Sequence, residues 1–367
     1  MVRASRPALK DRLTKLEIVV NDTAVIAIGR NEGERLRCCL TSALASGWHV
    51  VYVDSQSNDG SVDMARSMTV EVVELDMSKP FSAARARNAG FERLNDKVKF
   101  IQFVDGDCEI VTGWIERARQ ELEQRPDVAV VCGRRRERHP EASIYNRIAD
   151  IEWDTPIGEA QSCGGDSMMR ADAFAAAGGF DSSVVAGEEP ELCQRLRANG
   201  WKILRINAEM TLHDAAMVHM RQWWRRSVRG GYGTMDVASR FGSQGLFKAH
   251  VRRTHLWAYG YPAVVILGAL IAGLVAGRVW AVVIALLLGL ILPLQMARIA
   301  LKMRSRTQSI RDAIGYGFLT MLGKWPDALG QLSYLRDRKA GRVARMIEYK
   351  AQEAQLPGGK FVGSVDV

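Results

Sequence analysis

Two long apolar stretches near the C-terminal end place the strongest constraint on how this chain can fold. Residues 257–277 contain only apolar, glycine, proline and tyrosine residues, and residues 279–297 are again nearly all apolar. Each stretch is close to the roughly 20 residues that an α-helix needs to cross a bilayer. A buried hairpin of a soluble domain rarely reaches this length. The pattern therefore predicts a transmembrane helical hairpin with its turn at Gly277-Arg278.

Basic residues flank this hairpin on its outer ends, whereas the turn carries only Arg278. By the positive-inside rule, both outer ends are expected on the cytosolic side of the membrane. The N-terminal residues contain no long apolar segment of the kind found in secretory signal peptides. We therefore expect a cytosolic N-terminal domain and a location in the inner (plasma) membrane. The flanking residues are Arg252, Arg253, Arg298, Lys302, Arg304 and Arg306.

A third apolar segment, residues 313–335, is interrupted by Lys324, Pro326 and Asp327 and followed by a basic stretch. A third span would place that basic stretch outside, so an interfacial or re-entrant helix is favoured over a span. The sequence is thus divided into a basic arm (1–22), a catalytic domain (23–250), two transmembrane helices with flanks (251–310), an amphipathic or interfacial helical segment (311–350) and a loose tail (351–367).

The region before the hairpin alternates short branched-residue runs with segments of helical spacing. AVIAIG, WHVVYVD, VEVVEL and VKFIQFVDGD are predicted strands, and each is followed by a polar turn or a predicted helix. Such alternation is typical of an α/β fold with a largely parallel sheet covered by helices. Ligands of these sheets bind at the carboxyl ends of strands, where Asp54, Asp105 and Asp107 are expected.

The segment FVDGDCEI indicates a metal site. A turn at Gly106 allows Asp105 and Asp107 to approach one point, although strict strand alternation would separate them. Hard carboxylate oxygens suit Mg²⁺ or Mn²⁺ bound together with a diphosphate. A solvated turn is the alternative for an isolated D-x-D, and the preceding apolar strand favours the metal site.

Charge and cysteine usage restrict the remaining choices. The net charge of +9 points to an anionic partner, and much of that charge flanks the apolar stretches. This distribution suits lipid better than nucleic acid, so no nucleic-acid partner is expected. The six cysteines form no C-x-x-C pair, which argues against a zinc site and fits a reducing compartment.

Taken together, the motifs between residues 23 and 225 resemble those of family 2 glycosyltransferases with the GT-A fold, closest to bacterial exopolysaccharide or cell-envelope transferases with a membrane hairpin. The resemblance rests on several segments in the expected order: Asn31-Glu32-Gly33, DSQSNDGS, ARNAG, VDGD, GGDSMMRADAF and GEEPELCQRLRANGW. It implies a mixed, mainly parallel sheet with flanking helices, a nucleotide-sugar donor and a divalent metal cofactor.

The resemblance also assigns residues to the donor. Asp54 matches an aspartate that hydrogen-bonds the donor base, and an acceptor-only carboxylate suits a ring N–H. Arg85 and Arg87 can reach a diphosphate, with solvated helix charge as the alternative for Arg85. His213 matches a residue that completes the metal site or contacts the diphosphate, beside Asp105 and Asp107. The expected nucleotide-sugar-binding residues are Asn31, Glu32, Asp54, Arg85, Arg87 and Asp105.

A second acidic centre is expected at Glu188-Glu189. Family members usually carry Glu-Asp here, and the second acid is the general base that takes a proton from the acceptor hydroxyl. Glu189 keeps the carboxylate but has one more methylene, so Glu188 or Asp166 can share the role. The alternative is a pair of acids that stabilises a helix N-terminus.

Acceptor-side residues are expected in two places. Gly165 and Asp166 lie in the loop GGDSMMRADAF, and Gln222-x-x-Arg225 resembles the Q-x-x-R-W motif of polysaccharide synthases. The tryptophan of that motif is replaced by Arg226, while Trp223 and Trp224 come earlier. Aromatic faces suit sugar rings and arginines suit a diphosphate. An amphipathic helix on anionic lipid is the alternative.

Together, these expectations predict an inverting glycosyltransferase that acts in polysaccharide or cell-envelope synthesis. It would move a sugar from a nucleotide-diphosphate donor to a hydroxyl of a lipid-linked saccharide. Two alternatives stay open: a polyprenyl-phosphate sugar transferase and a non-catalytic membrane scaffold. A nucleotidyltransferase is disfavoured because no G-x-x-x-x-G-K-[ST] loop is present.

Overall fold

The computed structural model of the chain describes residues 22–241 and 245–342. Most of the predicted basic arm, the predicted tail and the last part of the predicted 311–350 segment therefore lie outside the described residues. Within the described ranges, one mixed sheet contains β1 (Thr23–Gly29), β2 (His49–Asp54), β3 (Glu71–Glu74), β4 (Phe100–Asp105), β5 (Cys108–Ile110), β6 (Val128–Glu137), β7 (Gly158–Ala160), β8 (Ser167–Arg170) and β9 (Lys202–His213).

Helices cover both faces of this sheet, as the buried β1 requires. Every β1 residue but the last is buried. A strand with one face in water alternates apolar and polar residues, and TAVIAIG shows no such alternation, as expected for a strand that is covered on both faces. The helices before the hairpin are α1 (Glu34–Ala45), α2 (Ser61–Ser67), α3 (Ala83–Phe91), α4 (Trp114–Gln124), α5 (Ile144–Glu152), α6 (Ala171–Ala176), α7 (Glu188–Ala198) and α8 (Met220–Arg240).

The first half of the sheet is parallel and aligns three strand ends. The order β3-β2-β1-β4-β8-β6-β9-β5, with β7 beside β9, places β1 between β2 and β4. Gly29 pairs with Asp54, and Ile28 pairs with Asp105. The carboxyl ends of β1, β2 and β4 therefore meet at one edge, which confirms the predicted α/β class and the predicted sheet.

The second half of the sheet brings distant residues to that edge. β8 runs antiparallel to β4, so Ser167 pairs with Phe103, and Asp166 lies just beyond the pair. β5 runs antiparallel to the end of β9, so Cys108 pairs with His213. β6 runs parallel to β9 through several irregular steps and ends with Glu137 opposite His213.

Two continuous helices follow the sheet and confirm the predicted apolar hairpin. The first, Lys248–Ala276, comprises α9 (Lys248–His255), a π-helical turn (Leu256–Gly260) and α10 (Tyr261–Ala276); the second, Arg278–Arg306, comprises α11 (Arg278–Gly289), α12 (Ile291–Met303) and a 3₁₀ turn. Both are long and apolar enough to cross a membrane. Their apolar side chains face outward: Leu274 is 87% exposed. Gly277 makes the turn with a φ of +90°.

The segment after the hairpin forms α13 (Ile310–Leu322) and α14 (Lys324–Lys339), which pack against helices of the protein. α13 lies on α12, and α14 crosses α8 at glycines on both helices. A Cβ on Gly231 would lie 2.1 Å from the Asp327 carbonyl oxygen, and one on Gly330 would lie 2.0 Å from the Val228 carbonyl oxygen. Among the described residues, the helices long and apolar enough to span are those of the hairpin.

Candidate active site

A cavity of about 2120 Å³ lies at the carboxyl ends of the strands. It starts at the loop after β1, passes the ends of β4 and β9, and reaches the inner ends of the apolar hairpin and α13. This is the position at which open α/β sheets bind ligands. The cavity brings together nine residues proposed from the sequence: Asn31, Glu32, Arg87, Asp105, Asp107, Glu188, Glu189, His213 and Trp223.

Arg87 joins three carboxylates at the centre of the cavity. Its Nη2 donates to Asp105 Oδ1 at 2.7 Å, and its Nη1 lies 2.8 Å from Glu188 Oε1 and 3.1 Å from Glu189 Oε1. The guanidinium is 2% exposed and lies over the Phe180 ring. A buried charge is tolerated only with such partners, so Arg87 fixes the positions of the acids.

Local structure explains why Arg87 and the acids converge. The Ser82 hydroxyl accepts from the Arg85 amide and caps α3, so Arg87 follows in the second turn of that helix. Gly187 precedes α7 with a φ of +87°, a conformation that favours glycine. Glu188 and Glu189 therefore stand in the first turn of α7, at the cavity wall.

Gly165 allows this cluster to close. A Cβ at Gly165 would lie 2.6 Å from Arg87 Nη2, 2.8 Å from Asp105 Oδ2 and 3.1 Å from Glu189 Oε1. These distances are too short for any side chain. The loop before β8 thus approaches the acids with bare backbone, so the predicted acceptor-side residue Gly165 lies directly against Arg87, Asp105 and Glu189.

Asp166, the next residue, is fully buried and holds the end of β4. Its Oδ1 accepts from the Asp105 amide at 3.1 Å, and its Oδ2 accepts from the Thr211 hydroxyl at 2.7 Å. Arg135 Nε lies 2.9 Å from the same Oδ2. Because its oxygens are occupied inside the protein and it does not line the cavity, Asp166 is placed to orient Asp105.

Two of the three acids beside Arg87 have opposite pKa shifts. Burial acts to raise the pKa of Asp105, but Arg87 and then Arg135 outweigh it and lower that pKa to about 2. Burial, followed by the charge of Glu188, raises the pKa of Glu189 to about 7, with Arg87 opposing. Asp105 therefore stays ionised, whereas Glu189 can exchange a proton near neutral pH, as a general base must.

Asp107 and His213 form a pair that can hold a divalent cation. His213 Nε2 lies 3.3 Å from Asp107 Oδ2, and one ligand atom each from Asp107, Cys108 and His213 fits within 4.8 Å. His213 is 5% exposed. Its Nδ1 has no hydrogen-bond partner and lies 3.8 Å from Glu137 Oε2. Burial raises the pKa of the Cys108 thiol, so it stays neutral and the oxygen and nitrogen donors suit Mg²⁺ or Mn²⁺.

Asp105, by contrast, lies outside this group. The ligand atoms near Asp105 are those of Cys108 and Asp166. In that second group, Asp105 pairs with Arg87 and Asp166 pairs with Arg135. The structure therefore separates the predicted set of three into an Asp107–His213 pair and an Asp105 that is held by Arg87. Metal binding by Asp105 stays a prediction.

The predicted donor loops are linked to each other. The Asn31 amide donates to Ser57 Oγ at 2.9 Å, and Asn31 Oδ1 accepts from the Asn58 amide at 2.8 Å. Asn31 and Glu32 line the cavity, and Glu32 pairs with Arg35. These contacts join the loop after β1 to the loop after β2 and form one wall.

Two predicted donor residues lie behind that wall. The buried Asp54 accepts from the Tyr52 hydroxyl at 2.7 Å and from the Ser57 amide at 2.8 Å, and it does not line the cavity. Arg85 donates to the carbonyl oxygens of Asp76, Lys79 and Pro80, away from the cavity. In this arrangement both residues order loops, and their contact with a donor stays a prediction.

The predicted Gln222-x-x-Arg225 motif points away from the cavity, apart from Trp223. Gln222 caps α8, because its side chain accepts from the amides of Val218 and His219. Trp223 is buried and lines the cavity, whereas Trp224 and the exposed Arg225 do not. Helical spacing turns Arg226 and Arg229 toward the cavity instead, about one turn and about two turns beyond Trp223 on the same face.

Arg135, Glu137 and Trp153 also belong to the site, although no motif in the sequence pointed to them. Arg135 lies over the Trp153 ring, and the same ring stands edge-on to His213 at 4.7 Å between centroids. The basic run at the end of VAVVCGRRR is a signal that could have indicated Arg135, because it follows an apolar strand. Glu137 and Trp153 become visible only through the pairing of β6 with β9 and the position of α5.

Known proteins resemble this chain in fold and, over part of its length, in sequence family. Residues 24–177 match the family model described as glycosyl transferase family 2. The glycosyltransferase AglE of Haloferax volcanii is 22% identical over 220 residues, which are 56% of this chain and 71% of that protein. A pre-mycofactocin glycosyltransferase of Mycobacterium tuberculosis is 27% identical over 239 residues, 60% of this chain and 48% of that protein.

A solved structure agrees at the level of fold. A mannosyltransferase from Pyrobaculum calidifontis, solved in complex with GDP-Man and Mn²⁺, superposes with a TM-score of 0.56 at 17% identity. The superposition covers 85% of this chain and 87% of that one. With the strand-end cavity and its carboxylates, these similarities give one conclusion: residues 24–177 resemble a family 2 glycosyltransferase domain, and the fold of the chain is of the GT-A type.

Proposed function

We propose that this protein transfers a sugar, with inversion, from a nucleotide-diphosphate donor to a hydroxyl group of a lipid-linked saccharide in polysaccharide or cell-envelope synthesis. The observation that carries the proposal is the arrangement of Glu189, Arg87 and Asp105 in a cavity that runs from the donor loops to the apolar hairpin. That arrangement joins a base, a donor wall and a membrane-facing opening.

In the proposed reaction Glu189 accepts the proton of the acceptor hydroxyl. The hydroxyl oxygen attacks the anomeric carbon, and the bond from that carbon to the diphosphate oxygen breaks in the same displacement. The diphosphate leaves with the bonding electrons, so no covalent intermediate with the enzyme is needed. Glu188 and Asp105 surround Glu189 with negative charge, which favours a neutral hydroxyl over a phosphate as the group that reaches this base.

Asp107 and His213 are the residues proposed to hold the divalent cation, with Glu137 beside His213 Nδ1. When bound, Mg²⁺ or Mn²⁺ would neutralise charge that develops on the leaving diphosphate. Arg87 and Arg135 hold Asp105 and Asp166 in place and so keep the cavity wall rigid around the pair.

Membrane attachment is the second part of the proposal. The outward-facing apolar side chains of the hairpin support insertion into a bilayer, with the catalytic domain on the cytosolic side of the inner membrane. An enzyme held at the membrane meets a lipid-linked acceptor at a raised effective concentration. The alternatives are a polyprenyl-phosphate acceptor and a scaffold without activity.

Donor binding tests the proposal directly. Detergent-solubilised protein is titrated with uridine, guanosine and thymidine diphosphate sugars, with and without Mn²⁺, as wild type, Asp107→Ala and Asp63→Ala. Asp63 is exposed on α2 outside the cavity and serves as the matched control. We expect one donor to bind with Mn²⁺ and Asp107→Ala to weaken that binding by at least about tenfold.

Each outcome decides something definite. An unchanged affinity in Asp107→Ala would remove Asp107 from the metal site. Absence of binding by every donor would overturn the nucleotide-sugar assignment and favour the scaffold. When a donor is found, the anomeric configuration of the product, followed by NMR, tests inversion.

A further inference from the structure

The cations that line the cavity fall into two groups that differ in their partners. At the catalytic end, Arg87 and Arg135 are engaged by carboxylates. At the end that faces the hairpin, the cavity is lined by further cations for which the described residues supply no ion pair. These are Arg253, Arg298, Lys302 and Lys324, which we call the hairpin-side cations.

Three separate helices supply the hairpin-side cations. Arg253 lies in α9, Arg298 and Lys302 lie one turn apart on one face of α12, and Lys324 begins α14. Lys324 is the most enclosed of the four: burial lowers its pKa, with Asp327 opposing that shift. Like charges brought together from three helices repel one another unless an anion lies between them.

Of the nearby acids among the described residues, Asp327 interacts with Lys324 but forms no ion pair with any of the four cations. The buried Asp327 accepts from His250 Nε2 and from the Thr254 hydroxyl, each at 2.6 Å. Two arginines of α8, Arg226 and Arg229, also line the cavity. Glu152 lies 3.7 Å from Arg226 and pairs with it. The cationic residues at this end therefore outnumber the acids, and an external anion is the partner that would balance them.

The same end of the cavity is also apolar. Leu256 and Trp257 of the first long helix, Ile299 of the second and Leu319 of α13 line it beside the cations. These residues continue into the exposed apolar surface of the hairpin. A ligand that satisfies both features carries phosphate on a long hydrocarbon chain. A soluble nucleotide satisfies only the first feature.

We propose that the hairpin-side cations bind the phosphate or diphosphate of a lipid-linked acceptor, whose hydrocarbon chain lies along the hairpin and whose saccharide extends toward Glu189. The inference rests on the proposed function and adds to it the part of the acceptor that is recognised. It also separates two phosphate sites in one cavity, because the donor diphosphate belongs near Asp107 and His213.

Binding of a phospholipid probe tests the inference. Full-length protein in neutral detergent is mixed separately with a long-chain polyprenyl phosphate, the matching polyprenol, phosphatidylglycerol or inorganic pyrophosphate, and the bound ligand is measured by native mass spectrometry. The test variant is Arg298→Gln/Lys302→Gln. The control is Arg252→Gln/Arg311→Gln, which removes two exposed cations near the same membrane face that do not line the cavity.

We expect wild type and control to bind the polyprenyl phosphate at least about tenfold more tightly than the polyprenol, since hydrogen bonds to charged groups are strong. The test variant should lose about tenfold in affinity for the phosphate form alone. Equal loss in both variants, or equal affinity for phosphatidylglycerol, would mean general charge attraction and would overturn the site. Equal binding of inorganic pyrophosphate would overturn the lipid assignment.

Donor titration of the same samples separates this inference from the proposed function. A test variant that binds donor with Mn²⁺ as wild type does, yet still binds polyprenyl phosphate unchanged, would refute the lipid site and leave the glycosyltransferase proposal intact. Failure of wild type to bind any donor would refute the proposed function by itself, whatever the lipid result.

Discussion

At the scale of single residues, the proton on Glu189 is expected to control the rate. Burial and Glu188 raise the pKa of this carboxyl to about 7, and the base must be deprotonated to act. kcat/KM should therefore fall below pH 7, approaching about tenfold per pH unit, and level off above it. Measurement of kcat/KM between pH 5.5 and 9 at saturating metal checks this, and a flat profile would exclude Glu189 as the base.

Replacement of Glu189 provides the complementary measurement. Glu189→Gln keeps the size of the side chain but cannot take a proton, so kcat should fall by about 10²–10⁴-fold while donor affinity is retained. Glu191→Gln is the matched control, because Glu191 stands on the same helix but pairs with Arg195 outside the cavity. Equal loss in both variants would indicate damage to α7 rather than loss of a base.

Gly165 and Gly164 allow a test of how tightly the cluster is built. A Cβ at Gly165 would collide with Arg87 and Asp105, whereas one at Gly164 would meet its nearest atom, Arg135 Nη2, at an ordinary 3.5 Å. Gly165→Ala should therefore displace the acids and reduce kcat by roughly 10²-fold, as misplacement of catalytic groups by about 1 Å does. Gly164→Ala should stay near wild type. Equal kcat values in the two variants would contradict the close approach.

The acidic residues of the site were predictable because they follow apolar strands or stand in recognised segments. Asp105, Asp107, Glu188 and Glu189 belong to this class, and all line the cavity. Gln222 and Arg225 were predicted from a motif but do not line the cavity. Gln222 caps α8 instead, and this cap sets which face of the helix meets the cavity. Which carboxylate binds a cation and which binds an arginine depends on contacts across the sheet that no local pattern encodes.

At the scale of elements, the crossing of α8 and α14 depends on glycine. The backbone of α14 comes so close that a Cβ on Gly231 would lie 2.1 Å from the Asp327 carbonyl oxygen, while one on Gly230 would meet nothing within 4 Å. Gly231→Ala should therefore destabilise the fold by about 1–3 kcal/mol through overpacking. Gly230→Ala should be neutral or stabilising by up to about 1 kcal/mol, because alanine favours helix.

Thermal unfolding in detergent, followed by intrinsic fluorescence, compares these neighbouring variants. A lower midpoint for Gly231→Ala and an unchanged or higher one for Gly230→Ala would support the crossing. The reverse order would show that α14 does not rest on α8 at this point. Both glycines belong to one RGGYG segment, so sequence alone could not distinguish the one that packs from the one that does not.

Element type was easier to predict than element placement. The period of the apolar residues indicated the strands of the parallel half and the two long helices, since both follow from local pattern. The sequence indicated that residues 313–335 form an interfacial or re-entrant helix, because of Lys324, Pro326 and Asp327. The position of α14 against α8 depends instead on glycines about 100 residues apart in the chain, Gly231 and Gly330.

At the scale of the whole molecule, the cavity connects the soluble domain with the hairpin, and the membrane orientation decides whether that connection can operate. If the hairpin spans the bilayer, Arg278 in its turn lies on the side opposite to the catalytic domain. Arg278→Cys should then react with a membrane-impermeant maleimide in intact spheroplasts. Lys97→Cys, exposed on the catalytic domain, should react only after permeabilisation.

The native cysteines permit this measurement with little background. Cys38 is half-buried and the other five are buried, so a Cys38→Ser background removes the most accessible thiol. Labelling of position 278 only after permeabilisation would show that the hairpin does not cross, and the membrane part of the proposal would fail. Labelling of position 97 from outside would place the catalytic cavity beyond the reach of cytosolic nucleotide sugars. The expected pattern, 278 outside and 97 inside, places the donor loops in the cytosol and the hairpin-side cations at the membrane surface, where an acceptor with a phosphate head and a hydrocarbon chain would enter.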